Sequence, residues 1–162
     1  MDNTKNDSKP NFGVLLPTRE AVISGRSDPS VLFQLSERAE ALGFHSVWVG
    51  DSLTARPRID ALTTLAAVGA RTRRLRLGTA IFLAALRHPI LLAYQLGSLD
   101  WMTGGRFDLG VGYGRPKEPT QEHEFKILGL APGARMKMSE ELVHVMRRLW
   151  RENDVSHAGT FT

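Results

Sequence analysis

Residues 75–112 read LRLGTAIFLAALRHPILLAYQLGSLDWMTGGRFDLGVG, and this stretch decides the fold class. Two apolar runs, Leu75–Phe82 and Phe107–Gly112, flank a helical pattern that begins near Pro89 and turns Leu92, Leu96 and Leu99 inward. Proline suits a first helical turn because the N–H it lacks would be unpaired there anyway. The apolar runs are continuous more than alternating, which suits parallel strands covered on both faces. Strand, helix and strand within about thirty residues make one βαβ unit.

The same spacing continues toward the N-terminus. Phe12–Pro17 and Ser46–Gly50 are further apolar runs. Between them Asp28 can cap a helix whose first position is Pro29, with Val31, Leu35, Ala39 and Leu42 on one stripe and Gly43 ending it in a left-handed conformation. A second helix is predicted from Asp60 to Arg71, burying Leu62, Leu65, Ala66 and Gly69. A last one spans roughly Ala134 to Arg151, with Met138, Leu142, Val145, Leu149 and Trp150 as its apolar face. A Met and Trp stripe at this spacing reads as core. The result is an α/β chain of four βα units, (βα)4, with parallel strands and right-handed crossovers. An open doubly wound sheet and half of a TIM-type (β/α)8 barrel both accommodate it. A complete barrel takes roughly 250 residues, against 162 here, and Val155–Thr162 reads as the start of another unit. Residues 1–11 (MDNTKNDSKPN) are expected to be a disordered polar tail, and residues 12–162 the folded part.

Composition narrows the function classes. There is no cysteine, hence no disulfide framework, thiolate metal site or cysteine nucleophile, and the expected compartment is the cytoplasm. Net charge is +4. Its clearest basic cluster, Arg71, Arg73, Arg74 and Arg76, lies between a helix and a strand without the interleaved aromatics that single-strand stacking needs, so a solvated surface is expected rather than a nucleic-acid site. The longest apolar stretches are interrupted by Arg, Gln or Asp, and no membrane span is expected.

In either architecture ligands sit beyond the carboxyl ends of the strands. Those ends carry Pro17–Thr18, Asp51–Ser52, Gly78–Ile81 and Gly110–Arg115. Gly110, Gly112 and Gly114 form GxGxG, not the dinucleotide fingerprint GxGxxG. Close approach of a flat ligand and plain tight turning both explain them. Asp51 ends an apolar strand, where a carboxylate is costly unless solvated or paired. It is therefore a candidate for ligand contact or for orienting a neighbour, or else a strand-terminal surface residue. Trp48 reads as packing. Five scattered histidines show no metal-ligand spacing, and no GxSxG elbow occurs. Glu118, Glu122 and Glu124 read as a solvated acidic loop, with general acid–base work as the alternative.

The segment RHPILLAYQLGSLDWMTGGRFDLGVGYG, residues 87–114, resembles the central signature of luciferase-like flavin- or F420-dependent oxidoreductases. LGFHSVWVGDS at 42–52, LRLGTAIF at 75–82, EF at 124–125, LG at 128–129, Arg135, EELVHVMRRLW at 140–150 and VSHAGTF at 155–161 resemble it too, in order. The resemblance implies the N-terminal half of a TIM-type barrel, with FMN or coenzyme F420 over the strand ends and a non-proline cis peptide at Ala80–Ile81. The cofactor-binding residues expected are Asp51, Ser52, Thr79, Ala80, Ile81, Gly112, Tyr113 and Gly114. No catalytic residue and no metal site is assigned. Ser52 stands where deazaflavin-dependent relatives often carry His, and Arg115 where the sugar-phosphate branch carries an acid. The expected activity is oxygen activation by reduced FMN or hydride transfer by F420 on a small-molecule substrate. Later strands of the family supply much of the phosphate site, so a homo-oligomer through exposed barrel edges is expected. A non-catalytic half-barrel and an open-sheet small-ligand-binding domain are the alternatives.

Overall fold

A computed structural model describes residues 10–25, 27–115 and 117–160. Most of the polar N-terminal tail, residues 1–9, lies outside the described residues, as do the last two residues of Val155–Thr162; within that segment residues 155–160 form neither helix nor strand. The chain runs β1 (Gly13–Leu15), α1 (Thr18–Ile23), α2 (Ser30–Ala41), β2 (Ser46–Val49), α3 (Ala61–Arg71), β3 (Arg76–Thr79), α4 (Pro89–Met102), β4 (Phe107–Asp108), α5 (Pro119–Ile127) and α6 (Arg135–Leu149). The strands form one parallel sheet in the order β1-β2-β3-β4. This is the (βα)4 arrangement of a half TIM-type barrel, and the sequential order excludes the doubly wound alternative, whose strand order reverses.

The strands are shorter than predicted. Toward β4 the ladder lapses at Ala80–Ile81, where the peptide bond is cis, and resumes at a bridge between Phe82 and Val111, with Phe82 N–H on the Gly110 carbonyl and Gly112 N–H on that of Phe82. Toward β2 the Ala80 N–H still donates to the Val49 carbonyl and the Asp51 N–H to that of Ile81. The sheet alternates more than its sequence suggests. Val47, Val49, Leu75 and Leu77 are fully buried in the main core, together with Leu65, Val68, Leu92 and Met146 from the helices. The opposite face carries Trp48, whose indole N–H donates to Ser46 Oγ at 2.8 Å. A Cβ at Gly78 would overlap the Trp48 ring, and one at Gly13 would come within 2.6 Å of its Nε1. The absence of side chains on the neighbouring strands is what lets this indole lie across the sheet, the packing role expected of it.

Several helix faces differ from the pattern. In α2 the buried residues are Leu32, Ser36 and Ala39, while Val31 and Leu35 are partly buried and Leu42 is exposed. The stripe is rotated because Ser36, satisfied by the Leu32 carbonyl at 2.7 Å, serves as well as an apolar residue. The helix begins one residue later than predicted, at Ser30 with Pro29 before it, although Asp28 still accepts the Ser30 N–H at 2.9 Å, and Gly43 after its other end has φ +80° as expected. In α3 Ala61, Thr64, Leu65, Val68 and Gly69 are buried, but Leu62 is only partly buried and Ala66 is exposed. Trp150, assigned to the inner face of α6, follows that helix and is half-exposed; its indole N–H donates to the Ala93 carbonyl at 3.0 Å. Helices α1 and α5 add to the four that the sequence predicts.

At the amino-terminal end of the sheet, Arg106 donates to the carbonyls of Gly69, Thr72, Leu75 and Thr103 and to the Thr72 hydroxyl, tying the ends of α3 and α4 to β3. Nearby, Glu40 at the end of α2 accepts the backbone N–H groups of Arg73, Arg74 and Leu75. Of the basic cluster, Arg71 pairs with Glu37 at 2.7 Å and Arg76 with Asp108.

Burial raises the Glu40 carboxyl, but the three N–H groups and the positive charge of Arg74 together outweigh it and hold it below the ordinary 4.5. A carboxylate depressed in the folded state stabilises above its unfolded pKa, and that contribution is lost as pH falls through the folded value. Glu40→Gln is expected to cost about 1–2 kcal/mol at neutral pH. Urea unfolding at a series of pH values should show the gap to the unsubstituted chain closing on acidification; a gap independent of pH would contradict this linkage.

Candidate functional site

The carboxyl ends of β2 and β3 and the loop after β4 enclose a hollow of about 300 Å³. Asp51, Ser52, Ala80, Ile81, Tyr113 and Gly114 line it, with Arg58 and Arg115 at its rim. Two larger apolar hollows of about 680 and 700 Å³ lie along α4 and the end of α6 and share Gly97 and Trp150. The first lies in the helical layer, the second also borders Phe107, Leu109 and Val111 of β4 and the segment after it, and no expected site residue borders either.

Asp51 is not a surface residue. Its side chain is 2% exposed and pairs with Arg87, and it accepts the Leu83 N–H at 2.9 Å. Arg87 also stacks on Phe82, 4.3 Å from the ring centroid, and lies 3.6 Å from Asp60, the cap of α3. Asp51 thus orients the segment after the cis bond, and its charge is spent within the protein.

Glu124 overturns the reading of residues 118–124 as a solvated acidic loop. Its segment is helical and its side chain fully buried. Oε1 accepts the Ser52 hydroxyl at 3.0 Å and the N–H groups of Thr54 and Ala55 at 2.7 and 3.3 Å, with Leu53 N–H as a fourth donor. Oε2 is buried with no partner among the described residues. Glu118 instead caps α5; the Thr120 hydroxyl, then the Gln121 N–H, lower its carboxyl from the ordinary value. Sequence alone offered one signal for Glu124, its place beside Phe125 in the resemblance. The amides it serves are about seventy residues away, as the handful of bonds to residues 52–55 makes plain.

The other expected site residues divide. Thr79 is buried, its hydroxyl bonding the carbonyl and N–H of Gly110, so it acts through the chain and does not border the hollow. Ser52 borders it, but its hydroxyl faces Glu124 and the Arg56 N–H. A Cβ at Gly110 would overlap the Thr79 carbonyl, and one at Gly112 the Ile81 side chain. These two glycines are therefore explained by close approach of the chain to itself. Gly114, φ +75°, turns the chain against Gln121. What remains open to the hollow is a platform of Ala80, Ile81 and Tyr113, all exposed. An apolar platform with a polar rim fits a flat ring whose edge carries hydrogen-bonding groups. Among the described residues no group of three His, Asp or Glu side chains could hold a metal ion, and no helix is long and apolar enough to cross a membrane.

The model of the luciferase-like monooxygenase family matches residues 11–162. The chain belongs to that family. It is 35% identical over 143 residues to an F420-dependent glucose-6-phosphate dehydrogenase of Intrasporangium calvum, covering 82% of this chain and 42% of that protein. The structure of the monooxygenase RslO1 from Streptomyces bottropensis superposes with a TM-score of 0.78 at 33% identity, covering 94% of this chain and 46% of that one. The oxygenating constituent of 3,6-diketocamphane monooxygenase from Pseudomonas putida, solved in complex with FMN, gives 0.77 at 18% identity over 94% of this chain and 42% of that one, a likeness of fold alone. The chain spans less than half the length of each of these relatives.

Glu124→Ala would strand the buried Ser52 hydroxyl and remove the acceptor of three part-buried N–H groups. The expected loss of stability is about 3 kcal/mol or more, and less for Glu124→Gln, which keeps an acceptor oxygen. Denaturant unfolding together with amide exchange at residues 53–55 measures both; unchanged protection of those amides in the alanine variant would refute the anchoring role.

Proposed function

We propose that this chain supplies the ring-facing half of an oxidoreductase site that takes FMN or coenzyme F420 at the carboxyl ends of β2, β3 and β4. The observation that carries the reading is the exposed platform of Ala80, Ile81 and Tyr113 over the 300 Å³ hollow, in a chain of this family. Gly112 and Gly114 set the position of Tyr113, Asp51 fixes the Ile81–Leu83 segment through Arg87 and the Leu83 amide, and Ser52 with Glu124 fixes the loop above. Bound there, the cofactor would supply the electron pair for hydride transfer or oxygen activation, chemistry that belongs to the cofactor and not to side chains. The chain's residues orient the ring and keep water from one of its faces. No residue here is assigned as a general acid or base.

The four strands leave β1 and β4 as edges among the described residues, and Leu15 on β1 is 62% exposed. Natural folds cover such edges. The proposal therefore includes closure of the sheet as a condition for turnover, by further βα units or by a second copy through those edges. A half-barrel that is active only with a partner is the second reading, favoured by the same edges. The substrate class is a small molecule, with no nucleic acid or membrane as partner, in the cytoplasm.

Absorbance titration of FMN and of F420 into residues 1–162, with light scattering for mass and an assay of turnover, tests the reading. Weak saturable binding of one ring and no turnover by a monomer are expected. Gly112→Ala, which drives Ile81 from its place, should weaken that binding about tenfold, roughly 1.4 kcal/mol. Tight binding with turnover by a monomer would contradict the closure condition, and indifference of binding to Gly112→Ala would contradict the platform.

A further inference from the structure

The rim of the hollow is cationic in a way the family reading does not use. Arg58 folds back from the loop after β2 so that its guanidinium rests against Gly50, where a Cβ would overlap it. Its Nε reaches only the Arg56 carbonyl, at 3.4 Å. Arg115 stands across the opening, with its backbone N–H on Gln121 Oε1. Among the described residues neither guanidinium is within ion-pair distance of a carboxylate. Arg56, a third cation of the rim, is offset by Glu118, whose carboxyl it helps to lower after the Thr120 and Gln121 hydrogen bonds. The one carboxylate in the wall, Asp51, is matched by Arg87. Arg58 and Arg115 therefore bring positive charge to a small concave site with no carboxylate in ion-pair contact with either among the described residues; Glu122, which borders a neighbouring hollow with Arg115, lies outside that wall.

The loop that carries Arg58 is also fixed in advance. Glu124 holds residues 52–55 through a hydroxyl and three backbone N–H groups. Part of the ordering cost of the loop that leads to Arg58 is thus met in folding, which favours tighter binding. A guanidinium offers a planar fork of donors that matches a carboxylate, sulfonate or phosphate, and a cationic cleft with low-dielectric walls concentrates anions.

We propose that Arg58 and Arg115 bind an oxyanion on the substrate, so that the molecule brought to the ring is an organic anion: a carboxylate, sulfonate or phosphate ester. The inference rests on the reading of this hollow as the ring site, because only then is its occupant a substrate. The same chemistry could also be met by the phosphate of the cofactor, and the test separates the two sources.

Residues 1–162 are titrated with sodium methanesulfonate, with riboflavin and with FMN, following the amide resonances of Gly50, Tyr113 and Gly114. Methanesulfonate is expected to shift them saturably. Arg58→Gln and Arg115→Gln should each weaken that binding about tenfold, the loss expected for one charge-assisted contact. Arg151→Gln, beyond the end of α6, should leave it unchanged. Riboflavin and FMN should keep the same affinity ratio in all variants. A selective loss of FMN over riboflavin in the arginine variants would assign the oxyanion to the cofactor and overturn the substrate proposal. Methanesulfonate binding that is absent, or undiminished in the double variant, would overturn the site itself. Arginine-dependent methanesulfonate binding with no binding of either flavin or of F420 would sink the ring reading, and with it the claim that the anion is a substrate.

Discussion

A carboxylate at the end of a buried parallel strand must be paired, and Asp51 meets that demand by gripping Arg87 and the Leu83 amide. Much of the site end depends on this grip. Arg87 in turn covers Phe82 and approaches Asp60, the residue that caps α3 through the Thr63 N–H at 2.8 Å. One ionic contact thus ties the end of β2, the segment that follows β3 and the start of α3. Breaking one partner of a buried pair costs far more than the pair contributes in net stability, so the contact specifies position more than it stabilises. Glu124 repeats the logic one layer out, with a buried carboxylate organising the 52–55 loop through backbone N–H groups. The hollow lies between the two anchored segments.

The opposite end of the sheet is built for cohesion. Arg106 spends its donors on four carbonyls and a hydroxyl where α3, α4 and β3 converge, and Glu40 closes the turn before β3. The division matches the family of folds to which this sheet belongs, with stability at the amino-terminal face and ligand contact at the carboxyl face. It also explains why GGRF at 104–107, within the segment that carries the resemblance, brings no group into the hollow.

The four parallel strands and the three principal helices that follow β1, β2 and β3 were legible because parallel strands under helices read as apolar runs at a fixed spacing, whereas the sequential strand order followed only from the resemblance, since that spacing suits a doubly wound sheet equally well. The cis bond at Ala80–Ile81 was legible only through resemblance. What was hidden had physical reasons. Helix α5 (PTQEHEFKI) buries just Glu124 and Phe125, too little for an apolar stripe. The value of Glu124 depends on amides far away in sequence. Trp48 was legible as packing, but its partner was not, because the space that the indole occupies is left by Gly78 on the neighbouring strand, about thirty residues away. Of the eight residues expected at the cofactor, Asp51, Ser52, Ala80, Ile81, Tyr113 and Gly114 line one hollow, whereas Thr79 and Gly112 act behind it.

The central claim is that a flavin or deazaflavin ring rests on Ala80, Ile81 and Tyr113. The most direct measurement is intermolecular nuclear Overhauser contacts between ring protons of bound FMN or F420 and the side chains of residues 1–162. Contacts to the Ala80 methyl, the Ile81 side chain and the Tyr113 ring are expected. Contacts instead to Tyr94 and Trp150, in the apolar hollows along α4 and α6, would contradict it.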